Sequence, residues 1–225
     1  MPGRRTTRTW HRPTAPAPAP RTSRCPAAPT PTSCANAWPT ANGWSTCATG
    51  SRSPPGTWPA RNFGLDGSFA TYLGWLIPWG TPVTLLGETV EQVAEAQREL
   101  ARIGIERPAA QATGTPADWI GDGQPAVLPR ATFADLAQVR HHRRVSVLDV
   151  RRRLEWSEAH LDDSVHIALQ DLLASLGDVP DGEVWVHCAA GYRATIAASL
   201  LAARGRRVVI VDDDFANVGC QEKSA

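Results

Sequence analysis

The sequence predicts an α/β fold with a central, mainly parallel sheet flanked by helices, and three observations predict it. From Val145 to Val211, short β-prone apolar runs alternate with helical segments, the pattern that builds parallel sheets covered on both faces. Within that region Val184-Trp185-Val186-His187-Cys188 runs through the small turn Ala189-Ala190-Gly191 into an Ala/Leu-rich stretch, Ala194 to Ala203, so strand, tight loop and helix are contiguous. The composition of a globular protein begins only at Asn62, which confines the fold to the later part of the chain.

The chain has 225 residues, 42% of them hydrophobic, and a formal net charge of +1. That length holds one large or two small domains, and a near-neutral charge selects no acidic partner by itself. Residues 1–60 contain no Leu, Ile, Val, Phe, Asp, Glu or Lys and hold most of the prolines. They can neither bury a core nor form salt-bridged helices, so they read as a disordered segment with no domain. Rich in Arg, Ala, Pro, Thr and Ser, with Trp10, Trp38, Trp44 and Trp58, the segment has the composition of an out-of-frame translation of a GC-rich gene. It has no apolar stretch for a secretory signal, and its prolines argue against the amphipathic helix of a transit peptide. Cys25, Cys34 and Cys47 form no Cys-x-x-Cys pair and have no paired histidines nearby, so no metal site is expected.

Residues 61–110 read as a partial unit. Gly67 to Gly87 is uncharged and apolar, but Gly74, Pro78, Gly80 and Pro82 break any helix that could cross a membrane. A short helix or loop is expected at Phe69 to Leu76 and a buried strand at Val83 to Leu86. In Glu88 to Ile103, Val90, Val93, Ala96 or Gln97, Leu100 and Ile103 recur at helical spacing with charges on the other face, and Gly104 is placed as a C-cap. Ala109 to Pro129, rich in Gly, Pro, Thr and Ala, reads as a linker, with residues 111–129 separating the two units.

Residues 130–221 read as the second unit. Thr132 is expected to cap a helix through Arg140. Arg140 to Arg144, with His141 and His142, forms a basic cluster that reads as a solvated face, because no aromatic or acidic residues interleave. The elements that follow are a strand at Val145 to Val150, a short helix at Arg152 to Ala159, a strand at Val165 to Ile167 and a helix at Gln170 to Leu176. A strand at Val184 to Cys188, the helix at Ala194 to Ala203 and a strand at Val208 to Val211 complete the alternation. Ligands bind beyond the carboxyl ends of such strands, where Asp149 and Cys188 lie.

A turn between a strand and a helix can aim successive backbone N–H groups at one point, with the positive end of the helix dipole behind them. A thiolate held there is favoured over the thiol and becomes a nucleophile. A cysteine at a strand end is otherwise an inert small hydrophobe. The spacing of Cys188, Gly191 and Arg193, with the helix starting at once, decides for a reactive thiol. His187 is the neighbour of Cys188, and adjacent strand residues face opposite ways, so a packing role is expected for it rather than that of a general base.

This pattern resembles the rhodanese-like sulfurtransferases, whose active loop is a cysteine, four residues and a basic residue, as Cys188 to Arg193 reads. Upstream, Val147-Leu148-Asp149-Val150-Arg151, Glu155-Trp156, His160-Leu161 and Val165-His166-Ile167-Ala168-Leu169 are similar to the family's first motif. Gly205 to Phe215 is similar to its closing strand and turn. Ala159, Asp163, Ala168, Asp213 and Asp214 stand where the family usually has Gly, Gly, Pro, Gly and Gly, at turns expected to lie away from the cysteine loop. The earlier unit resembles the second half of a cysteine-free rhodanese domain, with Gly87 and Glu88 in the place of the cysteine. Phe69 to Tyr72 and Gly80 to Pro82 look like members that follow a metallo-β-lactamase-fold hydrolase domain.

The resemblance implies a rhodanese-like fold in which Cys188 takes a sulfane sulfur from thiosulfate or a persulfide and hands it to a thiol or cyanide. The backbone N–H groups of Ala189, Ala190, Gly191, Tyr192 and Arg193 would hold the persulfide, Arg193 would attract the anionic donor, and Tyr192 would shape the mouth. Asp149 and Arg151, with Glu155, would support the loop. No cofactor or metal is implied, and neither a nucleic acid nor a membrane is an expected partner. Half a domain exposes apolar surface, which favours self-association or docking to a metallo-hydrolase domain. Cysteine phosphatases and arsenate reductases of related fold place five residues in this ring, so the four found here favour sulfur. A non-catalytic, protein-binding module is the rival from another class. Cys220 reads as an incidental exposed thiol, and a free catalytic thiol without a secretory signal suggests the cytoplasm.

Overall fold

The structure, a computed structural model, describes residues 65, 67–114, 118 and 128–219, with the backbones of 44–48 and 223–224. Cys25, Cys34, Cys220 and the rest of residues 1–60 lie outside the described residues. The first unit comprises β1 (Trp44–Ala48), α1 (Phe69–Leu76), β2 (Val83–Gly87), α2 (Val90–Arg102) and β3 (Ala110–Thr113). β2 is central, with β1 antiparallel on one side and β3 parallel on the other. α2 begins in a capping box between Thr89 and Gln92, which satisfies orphan N–H groups at the helix start. It stops where Gly104 takes a φ of 84°, the left-handed turn that glycine adopts without strain.

Two features depart from the sequence reading here. A strand, β1, forms within residues 1–60, where no element is expected. β3 lies in the stretch read as linker, so residues 111–113 belong to the first sheet. Neither strand carries branched aliphatic residues. The backbone of β2 supplies their pairing partners, and strand formation depends on such context more than on the residue types themselves.

The second unit contains β4 (Arg130–Ala131), α3 (Phe133–His142), β5 (Ser146–Asp149), α4 (Arg153–Glu158), β6 (His160–Leu161), β7 (Val165–His166), β8 (Glu183–His187), α5 (Tyr192–Ala202) and β9 (Arg207–Val211), with β10 (Lys223–Ser224) pairing β6. Its sheet has the order β4-β9-β8-β5-β7, and each neighbouring pair is parallel. The expected helix at Gln170 to Leu176 is replaced by two short 3₁₀ turns, Leu169–Asp171 and Leu176–Asp178. Leu169 and Leu172 are both fully buried, and the tighter turn aligns residues three apart, which lets both enter the core. The basic cluster is partly paired: Arg143 bonds Glu183 at 2.7 Å, and Arg140 donates to the Asp162 carbonyl at 2.6 Å.

Alternation along the strands sorts the core into two faces. Leu148, Val184, Val186, Cys188, Val208 and Ile210 point to one face, where α5 packs. Val147, Trp185, Val209 and Val211 point to the other, against Phe133 and Leu136 of α3. α3 is fixed by the Thr132–Asp135 capping box, as its sequence suggests. The first unit joins the first of these cores: Phe69, Leu73, Leu76 and Leu100 lie in one apolar cluster with Leu148 and Leu200. The two units therefore share a core.

Leu73 is fully buried at that junction. Leu73→Ala is expected to cost about 2–5 kcal/mol, and a urea melt should still show one transition, because the units unfold together.

Candidate active site

β8 delivers Cys188 to the carboxyl end of the sheet, and α5 starts four residues later. Cys188 is a free thiol, 2% exposed. Gly191, the N-cap of α5, has φ 82°, and a Cβ there would collide with the Asp212 carboxylate. Only glycine suits this position on both counts. The Gly191 carbonyl accepts from the Thr195 N–H at 2.9 Å and from its Oγ1 at 3.0 Å, which locks the loop onto the first turn of the helix.

The closing turn after β9 is in contact with the loop. The Phe215 N–H donates to the Ala189 carbonyl at 2.8 Å, and Ala190 bridges Asp214. Asp212, pressed on Gly191, is ion-paired with Arg130. The expectation that all the substituted turn residues lie away from the cysteine loop is thus corrected for Asp213 and Asp214. Neither carries a positive φ. Asp213 Oδ1 accepts from the Asp214 N–H and from Asn217, its Oδ2 accepts from the Phe133 N–H, and Asp214 Oδ1 accepts from the Ala216 N–H. Side-chain acceptors hold the turn in an ordinary backbone conformation, so glycine is not required. Of the other substitutions, Asp163 takes φ 59°, which aspartate tolerates. Ala168, with φ −58°, sits where a proline would also fit, and Ala159 is extended.

Asp149 and Arg151 meet at the carboxyl end of β5. Asp149 is fully buried and Arg151 is 4% exposed. Arg151 Nε donates to both carboxylate oxygens at 3.1 and 3.0 Å, and Nη2 donates to Oδ2 at 2.6 Å and to the Ala159 carbonyl at 2.7 Å. Its guanidinium lies 3.6 Å from the centroid of the Phe215 ring, so the pair ties β5, the turn after α4 and the closing turn together. Parallel pairing sets Asp149 beside His187, with His187 Nε2 3.6 Å from Oδ2. The His187 ring stacks on Phe215 and meets Phe133 edge-on. It lies on the opposite face of the strand from Cys188, within the aromatic packing.

Arg193 does not stand open to solvent. Its two terminal nitrogens each bond a Glu155 oxygen at 2.6 Å. These bonds hold the guanidinium charged more firmly than in an ordinary arginine; burial opposes them, and Cys188, Glu155 and Tyr72 add to them electrostatically. The same bonds hold the Glu155 carboxyl below its usual range, against burial. Trp156 beside Glu155 stacks with His160 and with His166, with centroids at 4.0 and 5.2 Å. The structure thus brings Cys188, Ala189, Ala190, Gly191, Tyr192 and Arg193 into one loop, to which Asp149 and Arg151 are linked through Phe215. Sequence reasoning missed Asp212, whose close approach to Gly191 has no local signal, and Tyr72 of α1, whose ring lies 5.6 Å from that of Tyr192.

Residues 132–218 match the rhodanese-like domain family. The rhodanese-like domain so defined spans α3 to the closing turn and has the parallel α/β fold of that family. Similar solved structures include reduced CoADR-RHD of Bacillus anthracis, 26% identical with a TM-score of 0.37, over 39% of this chain and 16% of that one. This chain therefore spans about a sixth of that protein's length. A rhodanese-like domain protein of Staphylococcus aureus is 20% identical with a TM-score of 0.39, over 41% and 92%. A protein of Staphylococcus saprophyticus is 19% identical with a TM-score of 0.41, over 44% and 100%. No curated protein matches the chain. Among the described residues no helix is long and apolar enough to cross a membrane, and no group of His, Cys, Asp or Glu could hold a metal ion.

Two outcomes follow from the buried groups. Asp149→Asn leaves the Arg151 charge buried without its partner, and a urea melt should show a loss of about 3–5 kcal/mol. Burial pushes the His187 imidazole from 6.5 down to about 4, although the Asp149 charge opposes this. The unfolded chain then binds the proton more readily than the folded one, so this stability is complete above pH 6.5 and declines as pH falls towards 4. The full loss is about 3 kcal/mol. Urea melts between pH 7 and pH 5 should show that slope in the parent and a shallower one in His187→Gln.

Proposed function

We propose that the domain transfers sulfane sulfur through a persulfide on Cys188. The observation that carries this reading is the position of the thiol at the end of β8, directly before a glycine turn and the N-terminus of α5, where backbone N–H groups and the helix dipole favour an anion. The Cys188 thiolate attacks the outer sulfur of thiosulfate. The new S–S bond forms as the sulfur–sulfur bond of the donor breaks, sulfite leaves with the electron pair, and Cys188 is left as a persulfide. An acceptor thiolate or cyanide then takes the terminal sulfur and restores the Cys188 thiolate.

The loop N–H groups of Ala189 to Arg193 stabilise the persulfide anion. Arg193 positions the loop through Glu155 and contributes positive charge beside the thiol. Four residues between Cys188 and Arg193 favour this small anion over tetrahedral phosphate. The reading places the domain in the cytoplasm, with a thiol acceptor as partner and with self-association or docking to a metallo-hydrolase domain through the incomplete first unit. A non-catalytic docking module is the second reading, favoured by the near-complete burial of Cys188.

Intact mass before and after thiosulfate, beside Cys188→Ser, separates the two. A gain of one sulfur atom in the parent alone supports transfer; no gain with thiosulfate or glutathione persulfide, in folded protein, selects the docking module.

A further inference from the structure

Helix α1 belongs to the first unit, outside the matched domain, yet it lies across the cysteine loop. Tyr72 is 7% exposed, and its ring meets Tyr192, a loop residue, at 5.6 Å with the planes inclined by 44°. Trp75, one turn further on, meets Tyr72 edge-on at 5.4 Å. The Arg152 guanidinium of the domain stands 5.7 Å from the Trp75 ring centroid, a cation–π contact that pins the helix over the loop. α1 also packs on the turn Leu169–Asp171. Tyr72, Leu73 and Leu76 share one apolar cluster with Cys188 and Ala194. Arg193, the last residue of the loop, is held by Glu155 through two hydrogen bonds of 2.6 Å.

We propose that Tyr72 is a specificity-determining residue of the Cys188 site: with Tyr192 it forms an aromatic gate that admits small sulfur anions and excludes persulfides borne on peptides or proteins. This rests on the sulfur-transfer reading and names its donor class. A thiosulfate ion is small and carries its sulfane sulfur at its own surface, so it needs only a narrow opening beside the rings. A cysteine persulfide in a peptide carries its sulfane sulfur on a short stem, so the peptide backbone would have to come within reach of a buried thiol. In this proposal the touching rings of Tyr72 and Tyr192 stand on that approach, and α1 is held in place by its buried face and by Arg152.

The gate is tested on the full chain by the alkylation rate of Cys188, read from the mass of its own peptide, with iodoacetamide as the small reagent and fluorescein maleimide as the bulky one. The proteins are the parent, Tyr72→Ala and Tyr72→Phe. Steric discrimination in an apolar site is worth about tenfold or more, so the maleimide should label Tyr72→Ala faster than the parent by that factor. Iodoacetamide should label all three alike, and Tyr72→Phe, which keeps the ring, should behave as the parent. Glutathione persulfide should load Tyr72→Ala but not the parent, while thiosulfate loads both. Equal maleimide rates in the parent and Tyr72→Ala overturn the gate, as does a Cys188 inert to both reagents in both proteins. If circular dichroism shows Tyr72→Ala unfolded, Tyr72→Leu carries the same comparison with more of the apolar volume kept. A maleimide contrast without sulfur loading in any protein rejects sulfur transfer and leaves the gate standing.

Discussion

The buried pair of Asp149 and Arg151 is the interaction on which the rest of the domain depends. Two opposite charges taken out of water are tolerated only when they are well paired and hydrogen-bonded; Arg151 binds Asp149 through its backbone and side chain, and its guanidinium also contacts two other segments. The carboxylate stands at the end of β5; the guanidinium reaches the Ala159 carbonyl after α4 and lies on Phe215 of the closing turn. Phe215 in turn donates its N–H to the Ala189 carbonyl inside the cysteine loop. The ion pair is thereby linked to the loop through Phe215.

Strand alternation separates structural from chemical roles at the end of β8. His187 and Cys188 are sequence neighbours on opposite faces of the sheet, one stacked on Phe215 and the other beneath α5. The imidazole is kept neutral by burial and completes the aromatic packing that holds the closing turn. The thiol enters the loop where the helix begins. A second ion pair, Arg193 with Glu155, fixes the far side of the same loop to α4. The loop is thus braced from the closing turn and from α4.

The first unit contributes less than a complete domain among the described residues, yet it is not an appendage. Its helices bury Phe69, Leu73, Leu76 and Leu100 in the same core that receives Cys188. Burial of this apolar surface is the main force joining the two units, and the consequence is that α1 covers the loop of its neighbour. One helix thus both joins the two units and touches the loop.

The alternation of apolar runs and helical stretches from Val145 to Val211, with the contiguous strand, glycine turn and helix at Cys188, sufficed to identify the fold and the loop. Both are local signals: period-two burial, capping residues such as Thr132, and a glycine where the backbone must turn left-handed. β3 escaped notice because Ala110 to Thr113 has no apolar pattern of its own, and its strand exists through pairing with β2. The expected helix after Val165 became 3₁₀ turns because Leu169 and Leu172 had to reach one core together. The engagement of Arg193 by Glu155, the pressure of Asp212 on Gly191 and the cover of Tyr72 over Tyr192 arose only in the tertiary structure. Each joins residues far apart in the chain, and no local propensity records which distant side chain a folded sheet will bring into contact.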